Sequence, residues 1–179
     1  MKPIANIVLL ATLISSAWAT DGAPPTLLVR AMRSDEIAVA TVKTAFLSGA
    51  MADRYGKINE RCVKRVPYED FTAGSAHVVE SVLNAQEIAT SLAFYQSDAG
   101  IKYVEGLVRR LRARQGDDSA LPPVPGKEDI TPAQLAAIAD FSRTDLGRKV
   151  MGKELGVSPA AVALGREITE QIAAKCGGK

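Results

Sequence analysis

The chain has little of what most side-chain chemistries need. It contains two cysteines, one histidine and one tryptophan in 179 residues. The lone histidine, His77, sits beside Val78 and Val79 in an apparent helix, with no nucleophile at motif spacing, so it reads as a surface or satisfied residue. Zinc needs three or four ligands, and His77 with two cysteines that pair with each other cannot supply them, so no metal is expected. A nucleophile elbow, a Walker loop and a dinucleotide fingerprint are all missing, and no cofactor is expected. An excess of one charge is missing too. Lys and Arg total 22 against 20 Asp and Glu, which removes the general electrostatic case for nucleic acid. No stretch beyond the N-terminus is long and apolar enough to span a bilayer, so no stable membrane insertion is expected of the mature chain. Sustained alternation of apolar and polar residues is also lacking, which argues against strands.

What is present begins with an export signal. Lys2 precedes an apolar run from Ile4 to Ile14, and Ala17-Trp18-Ala19 forms a small-x-small cleavage signature before Thr20. Residues 1–19 therefore read as a secretory signal peptide and residues 20–179 as a single domain, large enough for a real core. No cysteine follows the cleavage site to carry a lipid. In an oxidising compartment the two cysteines permit one intramolecular pairing, and a Cys62–Cys176 disulfide is expected. The competing reading, a redox-active thiol, has neither a C-x-x-C motif nor a neighbouring histidine to support it.

Helical signals dominate after Pro24-Pro25, and the fold class is read as all-α, a bundle-like single domain. Thr26 is placed to cap a short first helix, and Ser34, followed by Asp35 and Glu36, to cap a second. Val39, Val42 and Phe46 give the second helix a core stripe, and it is expected to run to about Tyr55-Gly56. Lys57 to Gly74 reads as irregular with one short helix. Helices follow from Ser75 to Leu83, from a capping box at Asn84 and Glu87, and from Ser97 to about Arg114, the last with Ile101, Val104, Val108 and Leu111 on one face. Gly116 to Ile130 reads as a surface loop. Thr131-Pro132-Ala133-Gln134 is a strong helix start, and a final helix opens at Ser158-Pro159 with Ala161, Leu164, Ile168 and Ile172 inward.

Two phrases repeat. Laying FYQSDAGIK over FSRTDLGRK superposes Phe94 on Phe141, Ser97 on Thr144, Asp98 on Asp145, Gly100 on Gly147 and Lys102 on Lys149. Each encodes a helix, a corner and a helix. The hydroxyl caps the second helix, the acid favours its positive end, and the lysine stands four residues on, in pairing orientation. A glycine in the first turn costs up to about 1 kcal/mol against alanine and needs a reason. Close approach of the preceding aromatic to the backbone at Gly100 and Gly147 would supply one. Phe94 to Lys102 resembles the F-Y-x-S-x-x-G-x-K motif of a family of small secreted Gram-negative bacterial proteins of unknown function, with Phe141 to Lys149 as its second occurrence. Asp98 stands where that family usually has proline, and the resemblance is specific over about Ala85 to Met151. It implies a periplasmic helical domain and brings no catalytic residues.

The remaining candidates are charged. Arg109, Arg110, Arg112 and Arg114 read either as solubilising residues at a helix C-terminus or as an anion-facing patch, with Asp117, Asp118, Glu128 and Asp129 near enough in sequence to neutralise it. Glu80, Glu87 and Glu105 are the carboxylates available to a hydrolase, each equally at home on a solvated helix face. With no assembled catalytic set, the sequence points to a non-enzymatic binding or interaction module of the cell envelope with an envelope protein partner. Its contact site is expected in a cleft between the two phrases, with Tyr95, Lys102, Tyr103 and Lys149 at the rim and Arg109 and Arg110 as further candidates. The alternatives are a carboxylate-dependent hydrolase of wall glycan and a carrier of a small apolar ligand. An enclosed apolar cavity would favour the carrier.

Overall fold

Leu164, Ile168, Ile172 and Cys176 recur every four residues and lie buried along one face of α11, the helix Pro159–Cys176. The computed structural model describes residues 23–115 and 130–177. The expected signal peptide lies outside them, as does the expected surface loop except for Ile130. The described residues form eleven α-helices, one 3-10 turn and a single isolated bridge between Ile58 and Gly177. The expected all-α class holds.

The helices are α1 (Pro25–Met32), α2 (Ser34–Leu47), α3 (Ala52–Tyr55), α4 (Glu60–Arg65), α5 (Thr72–Val82), α6 (Ala85–Tyr95), α7 (Asp98–Arg114), α8 (Pro132–Arg143), α9 (Asp145–Met151), α10 (Lys153–Val157) and α11. α1 packs on α5 and α6, α2 on α7 and α11, and α11 on α5 and α4. Leu28, Val29, Val39, Val63, Phe71, Val79, Ile168 and Ile172 are fully enclosed where these meet. α8 buries no residue completely and packs chiefly on its neighbours α7 and α9.

Several expected boundaries move. Thr26 lies inside α1, whose N-cap is Pro24. Ser34 does not cap α2, because Arg33, in the left-handed conformation at φ 51°, takes that place and closes α1 as well. α2 stops at Leu47 rather than near Tyr55. Gly49, at φ 80°, supplies a left-handed turn that a side chain would disfavour, and its amide bonds the Phe46 carbonyl. Lys57 to Gly74 holds α4, a 3-10 turn at Glu69–Phe71 and the first turn of α5, more order than expected. Ile101, expected inward on α7, is 44% exposed.

The first two acids of α2 are more than dipole partners. Asp35 and Glu36 are both buried. Asp35 accepts hydrogen bonds from the Glu36 amide at 2.8 Å and the Thr72 hydroxyl at 2.6 Å. Glu36 is held between Arg112, whose Nε and Nη2 reach Oε1 at 2.9 and 2.5 Å, and Arg33, 2.5 Å from Oε2. Such partners are what make a buried carboxylate tolerable. The Cys62–Cys176 disulfide is formed, and the Asn59 amide bonds the Cys176 carbonyl at 2.9 Å, fixing α4 to the end of α11.

Candidate functional site: an apolar interhelical cleft

Both phrases fold as helix corners. Ser97 accepts the Gly100 amide at 3.2 Å, and Thr144 accepts the Gly147 amide at 2.8 Å. A Cβ on Gly100 would collide with the Phe94 carbonyl oxygen and sit 2.6 Å from the Tyr95 Cα. One on Gly147 would collide with the Phe141 carbonyl oxygen and sit 2.9 Å from the Ser142 Cα. The close approach is therefore made by the backbone of the aromatic residue rather than by its ring.

The rings meet each other. Phe94 and Phe141 stack with centroids 3.9 Å apart and planes 6° from parallel, and Tyr95 stands edge-on to both. These three rings pack the two corners against each other. The lysines also find partners other than the acids four residues before them. Lys102 reaches Glu105 at 3.2 Å, and Lys149 crosses to Glu87 on α6 at 2.6 Å. Arg148, not Lys149, takes Asp145. The other oxygen of Glu87 accepts the Asn84 amide and closes the capping box. The Lys149 hydrogen bond, then the Asn84 amide, hold the Glu87 carboxyl below the usual carboxylate range.

A cleft of about 480 Å³ opens beside these rings, with Tyr95 in its lining, within the roughly 300–1,000 Å³ of small-molecule sites. Its walls come from the ends of α1 and α6 and from α2, α5, α7, α9, α10 and α11. Ile37, Ala38 and Val42 of α2 are joined by Val78 and Val79 of α5, Val104 and Leu107 of α7, Val150 and Met151 of α9, Leu155 of α10 and Leu164 of α11. None of the residues lining it is charged. Of the four residues expected at a rim, Tyr95 and Tyr103 line this cleft, while Lys102 and Lys149 are not among its lining residues. Tyr95 is buried, and that burial pushes its hydroxyl well above the ordinary phenol range, with Tyr103 adding to the shift. A hollow of about 550 Å³ lies over Asn59, Glu60, Arg61 and Lys64, but these exposed polar residues offer no apolar wall.

Two polar features of the lining escaped sequence reasoning. Ser34 and Ser75 both line the cleft, and the hydroxyl oxygen of each is buried without a hydrogen-bond partner. Gly156 and Gly165 line it too, and a Cβ on either would meet no other atom within 4 Å. Gly165 lies well inside α11, where glycine costs roughly 0.5–1 kcal/mol against alanine. A helix-interior glycine without a packing reason was the legible signal.

The other candidates disperse. Arg109 is buried, Arg110 and Arg114 are exposed, and Arg112 is committed to Glu36. The acids of 117–129 lie outside the described residues. His77 and Glu80 are exposed. No group of three or more His, Cys, Asp or Glu able to hold a metal occurs among the described residues.

Comparison with curated proteins and with solved structures gives no match. Over residues 127–175, which contain the second phrase and leave the first outside, the chain matches the family described as Uncharacterized protein conserved in bacteria (DUF2059), and it is to that bacterial family that its C-terminal helices are similar.

Proposed function

We propose that this protein is a non-enzymatic binding module of the bacterial cell envelope that takes an apolar group into the interhelical cleft. The observation that carries the reading is a cleft of about 480 Å³ lined by eight helices without a charged side chain. Filling that space would remove apolar surface from water on both partners, the main drive for binding in such sites. Export and a periplasmic home agree with the disulfide, since such bonds persist in oxidising compartments. They agree also with the finding that no helix among the described residues is long and apolar enough to cross a membrane.

Hydrolysis by a carboxylate pair ranks below this. Glu105 pairs with Lys102, Glu87 with Lys149, and Glu80 lies exposed on α5. The buried acids Asp35 and Glu36 are consecutive on one helix, so they do not face each other across a site. Docking to an envelope protein through an outer face also ranks lower. The exposed large apolar side chains among the described residues are Ile101, Leu135, Val157 and Val162, fewer than those inside the cleft.

The test is a titration of the mature protein with N-phenyl-1-naphthylamine, an uncharged dye that brightens in apolar surroundings. Saturable binding at one site per chain is expected. Gly165→Leu should weaken it at least tenfold while leaving thermal stability equal or higher, because leucine favours helix and has open space to enter. Absence of saturable binding by the wild type would sink the reading.

A further inference from the structure

We propose that the occupant of the cleft is an uncharged amphiphile, an alkyl chain or its equivalent ending in one hydroxyl or carbonyl group that hydrogen-bonds the Ser75 hydroxyl. The inference rests on the cleft being a binding site and adds what kind of molecule it selects.

Size comes from the volume. An apolar void of roughly 150 Å³ takes one benzene, so the cleft, at the same density, holds roughly twenty non-hydrogen atoms. Neutrality comes from the wall. An ionised head group drawn among these residues would lose its hydration and meet no counter-charge. The ion pairs nearest in sequence to lining residues are already matched. Lys149 holds Glu87, Lys102 holds Glu105, and Glu36 is shared by Arg33 and Arg112. A carboxylate or phosphate inside the cleft would find no cation among the residues that line it.

The polar end comes from Ser75. Hydroxyls inside helices commonly bond a carbonyl one turn back, as Thr41, Thr44, Thr90 and Thr169 do in this protein. Ser75 does not. It is 3% exposed, and its oxygen has no partner. A buried hydroxyl left unpaired is a standing cost that an alanine would avoid, and a ligand hydroxyl or carbonyl would relieve it.

Competition against bound N-phenyl-1-naphthylamine separates these claims, using three molecules that share one chain: 1-dodecanol, dodecanoate and dodecyltrimethylammonium, all at pH 8. Dodecanol should displace the dye at concentrations at least tenfold below those of either ion. Ser75→Ala should weaken dodecanol about three- to tenfold, the worth of one hydrogen bond, once the variant's own affinity for the dye is taken into account. Ser75→Cys, close in size and a poor hydrogen bonder, should show the same loss. Neither variant should melt below the wild type, because the hydroxyl has no partner to lose. Displacement by the ions as readily as by the alcohol would overturn the neutrality, and unchanged dodecanol affinity in both variants would overturn the role of Ser75. Failure of the dye itself to bind would instead remove the underlying site.

Discussion

At the scale of single residues, Gly100 and Gly147 are the clearest cases of space deciding identity. A methyl group at either position runs into backbone atoms of the preceding helix, which cannot rotate away as a side-chain tip could. Gly100→Ala and Gly147→Ala should each cost about 1–3 kcal/mol, read as a lower urea midpoint with an unchanged slope. Gly106 is the internal control. Its nearest neighbour is the Arg110 guanidinium at 3.8 Å, and Gly106→Ala should stabilise by up to about 1 kcal/mol through helix propensity. The two corner glycines were legible in the sequence because each sits where a helix begins and propensity argues against it. Ser75 was not legible. A serine in a helix looks the same on paper whether its hydroxyl is bonded, solvated or stranded, and only packing distinguishes these.

At the scale of elements, local chemistry predicted the helix starts better than the partners. The capping boxes at Asn84 and Thr131 and the hydroxyl caps at Ser97, Thr144 and Ser158 all form, because each is settled within four residues. Lys149 shows the limit. Sequence spacing offered it Asp145, one turn away, whereas the folded chain brings it Glu87 from α6, a choice made by tertiary packing. That pairing has a pH signature. Because the folded state lowers the Glu87 carboxyl, its contribution to stability is complete above the unfolded value, about 4.3, and is lost as pH falls through the lower folded value. The raised Lys149 ammonium acts oppositely, contributing fully below its unfolded value of about 10.4 and fading as pH rises through the folded one. Urea midpoints measured from pH 2 to 6 should fall less steeply toward acid in Glu87→Gln than in the wild type. Equal slopes would show that the pair carries no linkage.

At the scale of the whole molecule, the expected all-α class and cysteine pairing match the structure, while the position of the cleft was out of reach. Helical periodicity marks which residues turn inward, yet it cannot say whether opposing faces close completely. Ile37, Val42 and Leu107 look like ordinary core residues until eight helices are assembled around a remaining gap. The disulfide is the largest single tie at this scale. Its partners are 114 residues apart, and closing a loop of that size in the unfolded chain is worth about 4–5 kcal/mol in the chain-entropy description. Cys62→Ser with Cys176→Ser should therefore melt well below the wild type. The change should be accompanied by faster amide exchange at Asn59 and Gly177, whose backbone bonds lie beside the bridge.

The same bond also sets an order of events. Ile168 and Ile172, at the centre of the core, belong to the last helix, and Cys176 follows them. A chain emerging from its N-terminus therefore carries Cys62 as a lone thiol, beside a core that is still missing a wall, until α11 has appeared. The cysteine thereby keeps time for the molecule. Until Cys176 arrives its sulfur is open to reagents and to wrong partners, and it falls silent once the two are joined.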